Sequence, residues 1–383
     1  MICSGRDTAT GDCITVEFDH RIRDITPGPP TDLWIAPGFI DLQVNGFAGV
    51  DFNRPEASAD EIQRALERIV STGVTRCLPT VITGPPGEML ACLRNLARVQ
   101  SPVIAGFHVE GPHISPEDGP RGAHPLDSVR APDLAEYRRW QEATDDRIRL
   151  ITLSPHWPDA IQYIRAIVRD GVTASIGHTS ANSEQIAAAV DAGATLSTHI
   201  GNAGHTTLPK IRNYIWDQLA EDRLSASFIA DGIHLPAAFL RAALRAKTVS
   251  RSILATDASA PAGAASGRYR LGAQDADLTP DGRVVLSGTD RLAGSALKMN
   301  DAIANVMRMA GVTLAEAVRM ATVNPARIIG LNGRQNGLTV GERADLVLFR
   351  TGSSIGIESV RIEGQPAAII ESWTSSTPPN RSS

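Results

Sequence analysis

The chain has few cysteines and no long apolar run. Its cysteines, Cys3, Cys13, Cys77 and Cys92, show no C-x-x-C spacing, so the sequence predicts neither a zinc knuckle nor a disulfide framework. No apolar stretch approaches the roughly 20 residues that span a bilayer, and residues 1–10 lack the apolar core of a signal peptide. We therefore expect reduced thiols, a cytoplasmic location and no membrane partner.

Positive charge is also scarce. The 37 basic residues are outnumbered by 42 acidic ones, which gives a formal net charge of -5. This balance offers no basic stripe of the kind that nucleic-acid binding needs. Nearly all the positive charge is arginine, since the only lysines are Lys210, Lys247 and Lys298. We expect a small-molecule ligand and no nucleic-acid partner.

Short β-rich runs alternate with helical patterns from Ala36 onward, which is typical of βα units and a parallel sheet. The predicted strands are Phe39–Val44, Thr75–Val81, Val103–Val109, Ile148–Ser154, Thr173–Gly177, Thr195–Thr198, Ala226–Ala230 and Ser252–Ala255. Segments with helical spacing lie between them, such as Ala59–Thr72, Glu88–Val99, Leu134–Thr144, Ala160–Arg169, Ser183–Ala192 and Ala237–Arg245. Eight strands joined by helices favour a (β/α)8 TIM barrel over an open sheet.

The two chain ends do not fit the barrel pattern. Cys13–Val16, Leu338–Phe349 and Ile362–Ile370 are short strand-like runs with turn signals. We expect residues 1–36 and 333–375 to form one small β-sandwich domain beside a barrel of residues 37–332. Residues 376–383 are expected to be a disordered tail.

Polar side chains follow the predicted strands at their carboxyl ends. They are Gln43, Asn45, Thr83, Glu110, His156, His178, His199, Asn202, Asp231, His234 and Asp257. Each alone has an ordinary structural explanation as a hydrogen-bonded residue, an ion-pair partner or a helix cap. In a barrel they share the rim that carries the chemistry, where converging acids and imidazoles are costly to bury unless a cation is present.

One carboxylate and two imidazoles are a common ligand set for a catalytic zinc with an open fourth position. Glu110, His178 and His199 supply this set from the third, fifth and sixth strands. A divalent ion held there would lower the pKa of bound water to about 7 and polarise a carbonyl. Asp257, after the eighth strand, would then be the base, so the residues predict metal-assisted hydrolysis. Zn²⁺ is preferred from the ligand types, although Fe²⁺, Mn²⁺ and Co²⁺ accept the same groups.

Several stretches resemble the amidohydrolase superfamily and, within it, the N-acetylglucosamine-6-phosphate deacetylases. They include "APGFIDLQVNGFAGVDFN", "HVEGPHISPEDGPRGAH", "GHTSANSEQIAAAVDAGATLSTHIGNA", "FIADGIHL", "LAGSALKM" and "GLTVGERADLVLF". The resemblance implies a barrel with a sandwich built from both termini, and a homodimer. It also implies a single metal, because Gln43 and Asn45 stand where other members carry a His-x-His pair for a second one.

The same motif matching implies roles for further residues. Asp257 matches the catalytic acid/base, and His124 of "RGAH" would polarise the acyl carbonyl. Substrate contacts are implied for Gln43, Asn202, Ala203, His234, Leu292 and Gly294. No lysine lies at a strand end, so a binuclear centre bridged by a carboxylated lysine, as in dihydroorotase-like relatives, is not expected.

The chain departs from the family after the sixth predicted strand. Family members carry a Gly-Arg-Glu run whose arginine reaches the substrate phosphate, and this run is absent from "THIGNAGHTTLPKIRNYIWDQLAED". His205, Lys210 and Arg212 could replace it, since anion binding needs only donors in reach. They are equally well explained as solvated loop charges.

The expected function is hydrolysis of the acetamide of an N-acetylated amino sugar, namely N-acetylglucosamine 6-phosphate to glucosamine 6-phosphate and acetate. The altered loop keeps open a deacylase or cyclic-amide hydrolase acting on another, non-phosphorylated N-acyl substrate. A non-catalytic barrel scaffold is a further alternative, which the retained acid, imidazoles and base disfavour.

Overall fold

The computed structural model describes residues 1–352 and 354–369, and both chain ends contribute strands to one sheet. Numbered along the chain, its strands are β1 (Ile2–Asp7), β2 (Cys13–Phe18), β3 (Ile22–Pro27), β4 (Trp34–Pro37), β18 (Leu346–Thr351), β19 (Ile355–Ile362) and β20 (Gln365–Ala367). The spatial order is β20-β19-β18-β4-β1-β2-β3. A bridge between Arg21 and Arg343 brings the start of β3 against the segment before β18, beside an apolar cluster that includes Phe18, Ile22 and Leu346.

A second sheet of eight parallel strands forms the barrel. Its strands are β5 (Phe39–Val44), β8 (Val74–Ile82), β9 (Phe107–Glu110), β10 (Ile148–Leu153), β11 (Thr173–Ile176), β12 (Leu196–Ser197), β13 (Ser225–Phe228) and β14 (Ser252–Leu254). The first and last of these meet through a parallel bridge between Val44 and Ala258. The predicted (β/α)8 barrel with a sheet domain from both termini is confirmed.

Ten helices occur in the described residues, and most of them cover the barrel. They are α1 (Ala59–Val70), α2 (Pro86–Ala97), α3 (Leu134–Thr144), α4 (Ala160–Arg169), α5 (Ser183–Asp191), α6 (Tyr214–Ala220), α7 (Ala237–Lys247), α8 (Met299–Ala310), α9 (Leu314–Met320) and α10 (Val323–Ile328). Local sequence sets their starts. Ser58 and Asn182 each form a capping box with a Glu or Gln three residues on, which pairs backbone N–H groups that a helix start leaves free.

The eight predicted strands all exist, but the third begins four residues later than expected. Val103 and Ile104 precede Gly106, whose φ of +146° interrupts extended pairing. Only an isolated bridge between Cys77 and Ile104 forms there, and regular pairing starts at Phe107. The apolar run therefore predicted the existence of this strand correctly. Its start was predicted wrongly, because the φ angle of Gly106 decides where the hydrogen-bonded ladder begins.

Two smaller groups of strands lie outside the predicted pattern. β6 (Gly46–Phe47) pairs with β7 (Val50–Asp51), while β15 (Gly267–Leu271), β16 (Gln274–Leu278) and β17 (Val284–Leu286) form an antiparallel sheet. We call residues 267–286 the flap. The flap is fastened at its first turn, where Gly272 N–H donates to Asp51 Oδ2 at 2.7 Å.

A buried ion cluster joins the terminal sheet to the amino-terminal end of the barrel. Asp345, just before β18, accepts from Arg76 Nε of β8 at 2.8 Å and from Arg334 Nη1 at 2.5 Å. The other carboxylate oxygen accepts from Glu363 N–H at 2.7 Å. Burial opposes ionisation of Asp345, but Arg334 and Arg76 outweigh it and lower the pKa of the carboxyl. We call Arg76, Arg334 and Asp345 the junction cluster.

The domain boundaries at 36/37 and 332/333 remain predictions. The predictions that residues 370–375 belong to the β-sandwich domain and that residues 376–383 form a disordered tail fall outside the described residues. No helix in residues 1–352 and 354–369 is long and apolar enough to cross a membrane.

Candidate active site

A cleft of about 290 Å³ opens at the carboxyl ends of the barrel strands. Glu110 is the last residue of β9, while His178, His199 and Asp257 lie two or three residues beyond β11, β12 and β14. All four line the cleft. Because parallel strands end on the same side of a barrel, residues far apart in sequence converge on this single rim.

Glu110, His178 and His199 form a compact, buried group of potential metal ligands. Glu110 Oε1 lies 2.8 Å from His199 Nε2 and 3.2 Å from His178 Nε2. The three ligand atoms are all within 4.8 Å of one another. Burial opposes ionisation of Glu110, but the two histidines outweigh it and hold the pKa of the carboxyl well below its usual range. The donor set therefore presents a carboxylate and two imidazole nitrogens at one point.

The three residues can bind a divalent ion only if the imidazoles direct unprotonated nitrogens toward the same point as the carboxylate. His178 Nδ1 lies 3.0 Å from the carbonyl oxygen of Pro120, an acceptor that requires the hydrogen on Nδ1. The Nε2 lone pair of His178 is then free for a cation, which is the usual arrangement around protein-bound metals. One carboxylate and two imidazoles leave a tetrahedral ion one open position. The residues present thus fit a single divalent ion.

The backbone at this rim is strained. His178, His199 and Asp257 have φ angles of +49°, +29° and +51°, in the left-handed region that residues with a Cβ seldom adopt. Such conformations cost of order 1–3 kcal/mol each and persist where the surrounding structure enforces them. Their coincidence with three chemically important residues supports a functional site.

Asp257 is buried at the cleft, and its carboxylate accepts hydrogen bonds from two side-chain amides. Gln43 Nε2 donates to Asp257 Oδ1 at 2.9 Å and to Glu110 Oε1 at 2.8 Å. Asn45 Nδ2 donates to the same Asp257 Oδ1 at 2.7 Å. Burial, reinforced by the charge of Glu110, raises the pKa of Asp257 to about 6, so the group can exchange a proton near neutral pH.

His124 lies beside the ligand group and stays uncharged. Burial is the main cause that lowers the pKa of His124 to about 3. Its Nδ1 is 2.7 Å from the hydroxyl oxygen of Thr83, and its Nε2 is 3.8 Å from Glu110 Oε2. The Thr83 hydroxyl also lies 3.4 Å from the carbonyl oxygen of Glu110, to which it can donate its single hydrogen. When it donates to His124 Nδ1 instead, the hydrogen of the neutral ring is on Nε2 and can be donated within the cleft.

Most of the remaining residues predicted to contact substrate line the same cleft: Asn202, Ala203, His234, Leu292 and Gly294. Gln43 does not line it and is 1 % exposed. Asn202 Nδ2 is buried without a partner among the described residues, which leaves a donor for a ligand. His234 Nδ1 lies 2.6 Å from Asp231 Oδ2, and this contact fixes the orientation of the ring.

The residues suggested for phosphate binding are not on the cleft wall. His205 Nε2 lies 3.0 Å from Glu117 Oε2, and its Nδ1 lies 3.1 Å from the hydroxyl of Tyr214. Lys210 and Arg212 are exposed on the loop before α6. The structure therefore brings together the metal and base candidates but leaves these three residues outside the cleft, and their phosphate role stays a prediction.

Sequence reasoning missed the wall that the flap supplies. Leu271 and Gln274 line the cleft, and Gln274 Nε2 donates to the carbonyl oxygen of Ala123, next to His124, at 3.0 Å. No motif marks these residues. Only the chain path after β14, which carries residues 267–286 back over the rim, places them there.

Comparison with known proteins agrees with this geometry. The model of the amidohydrolase family matches residues 34–379. An N-acetylgalactosamine-6-phosphate deacetylase of Escherichia coli O157:H7 is 32% identical over 340 residues, which cover 87% of this chain and 88% of that protein. An N-acetylglucosamine-6-phosphate deacetylase of Bacillus subtilis (strain 168) is 32% identical over 327 residues, covering 83% and 81%.

A solved structure is similar over nearly the whole chain. The N-acetyl-D-glucosamine-6-phosphate deacetylase of Mycobacterium smegmatis, a mutant in complex with N-acetyl-D-glucosamine-6-phosphate, superposes with a TM-score of 0.87. It is 31% identical, and the match covers 96% of this chain and 99% of that one. The barrel, the strand-end ligand group and these similarities together show that the chain belongs to the amidohydrolase family.

Proposed function

We propose that this protein hydrolyses the acetamide of N-acetylglucosamine 6-phosphate and releases acetate and glucosamine 6-phosphate. The observation that carries the proposal is the convergence of the ligand group Glu110, His178 and His199 with the buried acid Asp257 in one cleft. The relatives named above, which act on 6-phosphates of N-acetylated sugars, support this substrate class.

Each residue of the cleft has a place in amide hydrolysis. A divalent ion held by Glu110, His178 and His199 would supply water of lowered pKa and polarise the acyl oxygen. Asp257 takes the proton of the attacking water and returns it to the leaving amine nitrogen, a step that a pKa of about 6 suits. His124 donates a hydrogen bond from Nε2 to the acyl oxygen, on which negative charge develops.

We propose one Zn²⁺ per chain, with Fe²⁺, Mn²⁺ or Co²⁺ as alternatives. The carboxylate and imidazole set suits these ions, and Gln43 and Asn45 turn their amide nitrogens, which cannot act as metal ligands, toward Asp257. Asn202, with its unpartnered Nδ2, and His234 are the proposed contacts to sugar or phosphate. Leu292 and Gly294 form the wall beside the acyl group.

We also propose a homodimer and a cytoplasmic location. Ile211 and Trp216 are 74% and 53% exposed around the loop that bears Lys210 and Arg212, and a second copy would cover these apolar side chains. The free cysteines Cys3, Cys13, Cys77 and Cys92 support the location, since reduced thiols are typical of the cytosol.

A substrate panel tests the function. Acetate release would be measured with N-acetylglucosamine 6-phosphate, its galacto epimer, free N-acetylglucosamine and a simple N-acetyl amine. We expect kcat/KM to be highest for a 6-phosphate. Equal rates with free N-acetylglucosamine would remove the phosphate from the proposal, and hydrolysis of none of the four would overturn it.

The altered loop before α6 favours one second candidate, deacylation of a different N-acyl compound or opening of a cyclic amide by the same group of residues. That loop places no cation on the wall of the cleft, since Lys210 and Arg212 are exposed and do not line it. The simple N-acetyl amine in the panel, together with a cyclic amide, distinguishes this candidate.

A further inference from the structure

We infer that Gln43 and Asn45 are positioning residues whose amides hold Oδ1 of Asp257 and leave Oδ2 as the atom that transfers the proton. The inference rests on the proposed function for its catalytic consequence. It replaces the substrate contact that the resemblance implied for Gln43, and it gives a role to Asn45, for which the motif shows only a poor metal ligand.

The contacts assign the two oxygens of Asp257 different tasks. Oδ1 accepts from Gln43 Nε2 at 2.9 Å and from Asn45 Nδ2 at 2.7 Å. Within residues 1–352 and 354–369, no hydrogen bond to Oδ2 is made. Because a carboxylate only accepts, both amides must turn their NH₂ groups toward it, which fixes their orientation.

Gln43 links the base to the ligand group. Its Nε2 has two hydrogens, and it uses one toward Asp257 and the other toward Glu110 Oε1 at 2.8 Å. It is 1 % exposed and off the cleft wall, so it is placed to orient other groups and not to touch substrate. Asn45 contacts Asp257 but neither Glu110 nor the histidines through its described hydrogen bonds.

Neutral amides suit this place for an electrostatic reason. Glu110 and Asp257 are two buried carboxyl groups near each other, and the charge of Glu110 disfavours ionisation of Asp257. A third acid between them would add repulsion, whereas an amide N–H has no charge and does not titrate, so it donates to a carboxylate without adding charge. Asn45 lines the cleft, but its Oδ1 is buried without a partner among the described residues, so the protein uses only the donor end of this amide.

A double-mutant cycle tests the pairing of Asn45 with Asp257. In the metal-loaded protein, Asn45→Ala is expected to lower kcat roughly 10- to 100-fold with little change in KM. In an Asp257→Ala background, the same change is expected to have no further effect on kcat, because its action passes through the missing carboxylate. A raised KM, or an equal loss of kcat in both backgrounds, would instead assign Asn45 to the substrate and overturn the inference.

A second variant, Gln43→Ala, distinguishes an effect on the base Asp257 from an effect on metal binding. Gln43→Ala is expected to lower kcat and also to weaken metal binding, measured by competition with a chelator, because Gln43 contacts both Asp257 and Glu110. Asn45→Ala is expected to leave metal affinity near the wild-type value. Equal metal affinities for both variants and the wild type would contradict the assignment of Gln43.

The midpoint of thermal unfolding tests the contact between Asn45 and Asp257 without measuring enzyme activity. Asn45→Ala is expected to shift the midpoint differently with and without the Asp257 carboxylate, since contacting residues couple. The matched control is Asn324→Ala, which removes a buried amide bonded to the carbonyl oxygens of Val249 and Ser252, and its shift should add to that of Asp257→Ala. Additive shifts for Asn45 would overturn the inference, whereas an inactive wild type with coupled midpoints would overturn only the proposed function.

Discussion

Two buried groups of polar side chains lie at opposite ends of the barrel, and they differ in the partners of their carboxyl groups. In the junction cluster the carboxylate of Asp345 meets two guanidinium groups and a backbone N–H. At the cleft, the groups that contact the Glu110 and Asp257 carboxyls within residues 1–352 and 354–369 are imidazoles and amides. The charges of the junction cluster are balanced when Glu363 is included, since its Oε1 accepts from Arg76 Nη2 at 3.0 Å, while the cleft retains acid groups, unpartnered atoms and strained backbone.

This difference in partners indicates that the junction cluster stabilises the fold and that the polar residues of the cleft serve catalysis. A buried charge is tolerated when its partners are complete, and the junction cluster has its partners. The cleft instead leaves a donor on Asn202 without a partner among the described residues, and it raises the pKa of Asp257 to about 6. Unsatisfied groups of this kind are destabilising by themselves and are typical of places where a ligand completes the structure.

Removal of the metal should have the largest effect on the cleft. We expect a chelator to abolish hydrolysis and one equivalent of Zn²⁺ to restore it, because the ligand group offers one site. Metal analysis of the loaded protein should find close to one divalent ion per chain. Two ions per chain would contradict the single-site interpretation of Gln43 and Asn45.

Asp257→Asn should lower kcat about 10²- to 10⁴-fold, since the variant cannot accept a proton. The asparagine carbonyl can still accept from Gln43 and Asn45, so the fold and metal content should persist. Because the hydrogen-bond partners of the buried Asp257 carboxylate are uncharged amides within the described residues, we expect the thermal midpoint to stay the same or rise. Activity at the wild-type rate would exclude the proton-transfer role.

Asp345→Asn should lower the stability of the fold and leave kcat unchanged, the converse of Asp257→Asn. It leaves two buried guanidinium groups short of a partner, and loss of one member of a buried ion pair costs about 3–5 kcal/mol of unfolding free energy. The kcat of the folded fraction should not change, since Asp345 is not on the cleft wall. Denaturant titration and kinetics on the same sample check both halves, and lower stability for Asp257→Asn than for Asp345→Asn would break the comparison.

Acid should weaken the junction cluster in a defined window. The pKa of Asp345 is lowered in the folded chain, so its stabilising contribution is complete above the unfolded pKa of about 3.9 and is lost as the pH falls toward the folded value. The difference in unfolding free energy between wild type and Asp345→Asn should therefore shrink below about pH 4. A constant difference from pH 7 to pH 3 would show that Asp345 contributes no pH-linked term.

The smallest effect is expected at an exposed ion pair that serves as the control. Arg350 Nε and Glu358 Oε1 are 3.0 Å apart with both side chains about half exposed. Glu358→Gln should change the unfolding free energy by about 0–1 kcal/mol, because solvent and salt screen the pair. A loss as large as that of Asp345→Asn would remove the distinction between closed, buried clusters and surface pairs.

Several features followed from local sequence alone. The apolar runs and turn signals predicted all eight barrel strands, and the polar residues after them predicted the acid, imidazole and base candidates. The third strand was placed too early because Gly106 sets its start, and the flap was missed because its exposed arginines and aspartates hide the alternation of β15 to β17.

The sequence by itself thus determined the barrel, the family and the residue types at the rim, because strand periodicity and strand-end position are local properties of the chain. Only the tertiary structure decided which groups meet. The amides of Gln43 and Asn45 reach Asp257 more than 200 residues away, and Arg76 reaches Asp345 across the domain junction. Such contacts depend on barrel closure and side-chain packing, which bring distant positions within hydrogen-bond distance and which no local pattern encodes.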